Sequence, residues 1–107
     1  MTPYYCYIFV RQDITPEQQL IQFGHVAAKA GAKSPDKLWE YVHFVGIGVR
    51  NERELHKAAL LMADNDIPYS TFNEGAMDDE LTAVASVPVR GPTREVFKNY
   101  KTLRFGN

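Results

Sequence analysis

The first apolar run, YYCYIFV (Tyr4 to Val10), is aromatic and β-branched with no polar alternation, the pattern of a strand buried on both faces. It predicts a central strand. In the following RQDITPEQQ, Thr15 can cap a helix, Pro16 suits the first helical position, and Gln18 closes a capping box back onto Thr15. The helix should therefore begin at Pro16. At about 100° per residue, Leu20, Ile21, Phe23, Gly24, Ala27, Ala28 and Gly31 share one broad side, which is expected to pack on the sheet. Gln18, Gln22, His25 and Lys29 fall within about 40° of one another on the opposite side. Gly31 with KSPDK ends the helix, and a loop containing Trp39 follows.

VHFVGIGV (Val42 to Val49) reads as a second strand, with Gly46 and Gly48 placing bare backbone where another group comes close. Asn51 and Glu54 supply a second capping signature, and Leu55, Ala58, Ala59, Met62 and Ala63 recur at helical spacing behind it. After a turn at Asp66 to Pro68, YSTF and TAVASVPV predict two short strands joined by the acidic loop NEGAMDDEL. The tail PTREVFKNYK, with Pro92 near its start, predicts a last short helix. The order is βαβαββα. Two successive βα units favour right-handed crossovers, so the expected fold class is α/β: a three-layer α/β/α sandwich around a mixed four-stranded sheet with Tyr4 to Val10 in its interior.

Composition narrows this picture without changing it. A chain of 107 residues fits a single domain spanning 1–107, and 45% hydrophobic residues, 23% charged residues and a net charge of −1 describe an ordinary globular protein. Net charge alone points to no nucleic-acid partner. The single Cys6 allows neither an internal disulfide nor a cysteine zinc site, which suits a cytoplasmic protein. The N-terminal apolar run falls far short of the roughly 20 residues that span a bilayer and lacks a basic leader, so neither membrane insertion nor secretion is expected. His43 and His56 have no ligand spacing with His25, so no metal is expected, nor is any cofactor.

Charge is nevertheless uneven. Asn73 to Leu81 carries Glu74, Asp78, Asp79 and Glu80 and no base, whereas Val89 to Asn107 carries Arg90, Arg94, Lys98, Lys101 and Arg104 against Glu95. Arg94, Lys98 and Lys101 would share a face if the tail is helical, a patch that could contact nucleic-acid phosphates or simply be a solvated helix end. The stripe Gln18, Gln22, His25 and Lys29 likewise has two readings. It is the wet side of a helix, or it is a working surface beside Asp13 at the carboxyl end of the first strand, where open α/β sheets bind ligands.

YIFVRQDITPEQQLIQFGHVAAKAG resembles the N-terminal signature of the archaeal and eukaryotic type of peptidyl-tRNA hydrolase, the peptidyl-tRNA hydrolase 2 family. A buried strand ends in Arg-x-Asp (Arg11, Asp13), and Gln-x-x-His (Gln22, His25) leads into small residues. VGIGVRNEREL resembles that family's second strand and acidic helix start, and NEGAMDDELTAVASVP its Asp-Ala-Gly loop and Thr-led last strand. The resemblance reaches about Pro88. It implies hydrolysis of the ester between a peptide and the ribose of tRNA, an acyl transfer to water that needs a group to orient the water, a donor for the oxyanion and cations for tRNA. On this chain it implies His25, Glu74, Thr82 and Asp13 as catalytic candidates. Arg11, Gln18, Gln22, Lys29 and Asn73 are the implied ligand contacts. Two charged positions of the family are neutral here: its Lys one turn before Gln-x-x-His is Gln18, and its loop Asp is Asn73 with Glu74 beside it. The alternative is therefore a non-catalytic module of the same fold that binds tRNA, a nucleotide or a small nucleotide signal. The resemblance also implies a homodimer, for which KLWEYVHF with Trp39 and Tyr41 offers aromatic surface. A purely structural oligomer subunit is the third reading.

Overall fold

The structure is a computed structural model and describes residues 3–33 and 37–103. Four strands form: β1 (Tyr5–Arg11), β2 (His43–Val49), β3 (Tyr69–Glu74) and β4 (Glu80–Ser86). They make one sheet in the order β2-β1-β4-β3, β1 parallel to β2 and antiparallel to β4, with β3 antiparallel to β4. The sheet is mixed, and the apolar N-terminal run lies inside it. Its side chains alternate between two cores, as strand pleating requires. Tyr7 and Phe9 join one with Ile47 and Val84, while Cys6, Ile8 and Val10 join the other with Ala83 and Ala85.

Each core is closed by one helix. Helix α1 (Pro16–Lys33) begins where the sequence places it, Thr15 Oγ1 accepting from the Gln18 amide at 3.2 Å. The Gln18 side chain turns to Gln22 instead of closing the box. Helix α2 (Glu52–Asp64) starts behind Asn51, whose Oδ1 accepts from the Glu54 amide at 3.1 Å, and it buries Leu55, Ala58, Ala59 and Met62 on the opposite sheet face. The result is the expected three-layer α/β/α sandwich. Fully burying side chains such as Phe9 and Leu55 contributes about 1.5–3 kcal/mol each.

The buried side of α1 is shifted from the one expected: Phe23 and Ala27 do pack on the core, as expected. Gln19, Gln22, Val26 and Ala30 are buried, while Leu20 and Ile21 stay 63% and 48% exposed. Spacing of 3 and 4 residues fits the observed set equally well, and the Gln22 amide is fully hydrogen-bonded inside, whereas Gln19 pairs only its NH₂ and its buried Oε1 has no partner among the described residues. Gln19 Nε2 donates to the Ile14 carbonyl at 2.9 Å, and Gln22 is paired on both sides of its amide.

The tail forms the expected last short helix, but of the 3-10 type and without the shared cationic face. Gly91–Phe97 is a 3-10 helix, seated by Phe97, whose ring stacks 4.1 Å from Tyr7. Arg94 turns back onto Tyr5 and Tyr7, Lys98 caps the turn, and Lys101 lies beyond it, so the three cations share no helical face. Arg104 and Ser34 to Asp36 of KSPDK lie outside the described residues. Lys37–Tyr41, expected as loop, is a second 3-10 helix. Leu103 N donates to the Gly46 carbonyl at 2.7 Å, laying the chain along the outer edge of β2. At Gly46 a Cβ would stand 3.2 Å from the Phe23 ring, a tight contact, and 3.5 Å from Leu103 Cβ. Among the described residues no helix is long and apolar enough to cross a membrane.

Cys6 is wholly buried, and burial pushes its thiol up to about 12. It therefore stays a protonated thiol at neutral pH. Iodoacetamide is expected to leave the native chain unmodified at pH 8 over minutes and to alkylate it stoichiometrically in denaturant, as mass spectrometry would show.

Candidate functional site

The site grows from an irregularity in the sheet. Phe72 pairs with Ala83 and Asn73 with Leu81, so Thr82 is the extra residue of a β-bulge. Strict alternation would point Thr82 to the α2 face with Val84. The bulge re-aims it toward α1, beside Ala83. There Thr82 Oγ1 donates to Gln22 Oε1 at 2.8 Å, and it lies 3.2 Å from the Phe72 carbonyl.

Gln22 passes this order outward. It is 0% exposed, and its Nε2 donates to Glu74 Oε2 at 2.9 Å and to Gln18 Oε1 at 3.3 Å. One buried amide thus links α1, β3 and β4. Glu74, the last residue of β3, also accepts from the Ala76 amide at 3.3 Å. Donation from Gln22, then from Ala76, holds its carboxyl below the ordinary value of 4.5, so Glu74 is an anion at neutral pH. The turn behind it is tight. Asp78 and Asp79 adopt left-handed backbone at φ 55° and 59°, Asp79 N donates to the Glu74 carbonyl at 3.0 Å, and Asn73 Nδ2 donates to the Asp79 carbonyl at 2.9 Å. Aspartate tolerates that conformation better than most residues.

A second network closes the carboxyl end of β1. Arg11 grips Asp13 with two hydrogen bonds, Nε to Oδ1 at 2.6 Å and Nη2 to Oδ2 at 2.8 Å. Its Nη1 donates to Glu80 Oε1 at 2.8 Å and to the Leu81 carbonyl at 3.3 Å. The guanidinium is buried and its charge is met, so Arg11 ties β1 to β4 and is not a hand held out to a ligand. It also keeps the Asp13 carboxyl below the ordinary 3.8.

Between the two networks opens a cleft of ≈ 480 Å³ lined by Asp13, Ile14, Thr15, Gln18, Ile21, Glu74, Ala76 and Met77. Its walls are apolar, with two carboxylates and an amide at fixed places. Among the described residues no lysine or arginine lines it. The Gln18 oxygen is occupied by Gln22, which leaves the Gln18 NH₂ as the donor half.

No protein-family model and no curated protein matches the chain. Among solved structures it is similar to a protein of unknown function from Agrobacterium tumefaciens strain C58. The TM-score is 0.71 at 12% identity, over 97% of this chain and 100% of that one. The two share a fold.

Of the candidates read from sequence, Asp13, Gln18 and Glu74 meet at the cleft, and Gln22 and Thr82 stand behind it as support. His25 lies farther along α1, its ring stacked 4.5 Å from Phe72, and Lys29 Nζ donates to the Thr71 carbonyl at 2.7 Å on the edge strand. Those two cover β3 and do not line the cleft. Asn73 braces the turn. Arg94, Lys98 and Lys101 do not line it either: Arg94 and Lys98 border a cleft beside Tyr7 on the α2 face, and Lys101 a third beside Val49. Sequence reasoning missed Ile14, Ile21, Ala76 and Met77 as walls. Ile21 falls on the side of α1 that the sequence pattern expects to be buried, and Ala76 and Met77 carry no polar signal. Among the described residues no group of three or more His, Cys, Asp or Glu side chains is placed to hold a metal.

Two outcomes follow. Asp13 is more acidic when folded than unfolded, so its contribution to stability is complete above about pH 4 and is lost as pH falls through its lowered folded value. Between about pH 5 and pH 3, Asp13→Asn should lose less stability in urea titrations than the parent chain. Gln22→Leu, which keeps the bulk and deletes the buried amide's pairing, should destabilise the fold by about 1–3 kcal/mol. It should also let the Glu74 carboxyl rise back toward 4.5, as a carboxyl NMR titration would detect.

Proposed function

We propose that this chain is an ester hydrolase of the peptidyl-tRNA hydrolase kind, cleaving the bond between a peptidyl or aminoacyl group and the ribose of tRNA. The observation that carries this reading is the relay Thr82 to Gln22 to Glu74, which fixes an ionised carboxylate at the mouth of an apolar cleft. A carboxylate positioned by a buried amide suits general-base work. Glu74 would take a proton from a water attacking the ester carbonyl carbon. The Gln18 NH₂ would donate to the oxyanion of the tetrahedral intermediate, and the proton would pass to the ribose oxygen as the C–O bond breaks. Gln22 and Thr82 are positioning residues. Asp13, held by Arg11, forms the opposite wall. The substrate class rests on the sequence resemblance.

A low pKa makes Glu74 a weak base but keeps it ionised, so hydrolysis should be insensitive to pH near neutrality and fall only below 4.5 as Glu74 protonates. The homodimer implied by the resemblance would use the exposed Tyr41, Phe44 and Leu20, whose burial in an interface removes apolar surface from water.

The binding reading is favoured by one feature: Gln18 offers an amide where the resembled family has a lysine. The cleft's two carboxylates and lack of cations would then suit the uncharged or cationic part of a ligand better than its phosphates. Turnover separates the readings. As a hydrolase, the parent chain releases peptide from peptidyl-tRNA, and Glu74→Gln slows release at least roughly tenfold. Release no faster than background, together with tRNA or nucleotide binding that Gln18→Ala weakens, would replace the hydrolase by the binding module.

A further inference from the structure

On the other face of the sheet, a cleft of ≈ 430 Å³ is lined by Tyr5, Tyr7, Arg94, Phe97 and Lys98, among others. Arg94 is fixed there on two sides. Its guanidinium carbon stands 3.5 Å above the Tyr5 ring, and its Nε donates to the Tyr7 hydroxyl at 2.8 Å. Both Nη groups, the end-on pair of donors that fits an oxyanion, have no partner among the described residues. Tyr7 is only 5% exposed, and its hydroxyl accepts from Arg94 while its own proton has no acceptor among the described residues. Tyr7 lines the cleft, so this proton can be donated to a ligand there. Lys98 adds a second cation, loosely balanced by Glu95 at 3.9 Å.

The aromatic walls narrow what can enter. Tyr5 already carries Arg94 and stacks with His43 at 5.2 Å, and Tyr7 stacks with Phe97 at 4.1 Å. Tyr5 and Tyr7 are thus already engaged with Arg94, His43 and Phe97, and selectivity is expected to come from the anion itself. We propose that this cleft is a binding site for a compact oxyanion, with phosphate, free or as a monoester, preferred over carboxylate. Arg94 Nη1 and Nη2, the Tyr7 hydroxyl and Lys98 Nζ are its donors. Glu95 also lines the cleft and offsets one of its two cations, but the Arg94 fork, the Tyr7 hydroxyl and Lys98 together offer more donors than a monocarboxylate can accept and match the acceptor number of phosphate. The site is independent of the hydrolase reading, and it is tested by binding without turnover.

The test is an NMR titration of the full chain with inorganic phosphate, adenosine monophosphate, adenosine and acetate, followed at the Gly91 and Lys98 amides. Phosphate and the monophosphate should bind saturably and alike, with dissociation constants below about 10 mM. Acetate should bind more weakly and adenosine not at all. Arg94→Lys, which keeps the charge and removes the fork, should weaken phosphate binding at least about tenfold. Tyr7→Phe, checked for folding by its melting temperature, should weaken it about threefold or more. Several results would overturn the proposal: no saturable phosphate shift, adenosine binding as tightly as its monophosphate, acetate matching phosphate, or a folded Arg94→Lys chain binding like the parent.

Discussion

The Gln22 amide is the contact on which the candidate site depends. It is wholly buried, yet it accepts from Thr82 on β4 and donates to Glu74 on β3 and Gln18 on α1. A buried amide left unpaired would be costly, so each partner is held where the amide needs it. That requirement explains the bulge at Thr82, without which the hydroxyl would face the other core. It also explains how an edge strand can hold a carboxylate in register with a helix. Side-chain pairing in the interior has become side-chain placement at the surface.

The rest of the sheet is built to make this end rigid. β1 is covered on both faces and flanked by β2 and β4, and Arg11 locks its carboxyl end to Asp13, Glu80 and the Leu81 carbonyl. The two clefts on opposite faces then differ in sign. The one below α1 has carboxylates and no cation, whereas the one beside the 3-10 tail has Arg94 and Lys98 against Glu95 alone. The two clefts thus differ in charge even though the chain as a whole is nearly neutral.

Much of the architecture was legible along the chain because it depends on local rules. A seven-residue apolar run with no alternation can satisfy itself only inside a sheet. Thr15 with Pro16, and Asn51 with Glu54, mark helix starts because the hydrogen bonds that begin a helix are local. The candidate site was legible in part. Asp13, Gln18 and Glu74 do meet at one cleft, whereas His25 and Lys29 cover the edge strand and Arg11 is consumed by ion pairs. The failure has one cause: residue polarity was read as exposure. Gln19 and Gln22 are polar and buried, and Leu20 and Ile21 are apolar and exposed.

Composition, periodicity and capping thus determined the element order, the interior strand and the placement of one helix on each sheet face, since each follows from neighbours in sequence. Only tertiary structure decided which side of α1 turns inward, where Thr82 points, and that Arg94 folds back onto Tyr5 and Tyr7. Those choices rest on partners distant in the chain: Gln22 with Thr82 and Glu74, and Arg94 with β1. A buried hydrogen bond between distant residues leaves no periodic trace, because its energy is realised only when the sheet has brought both groups out of water together.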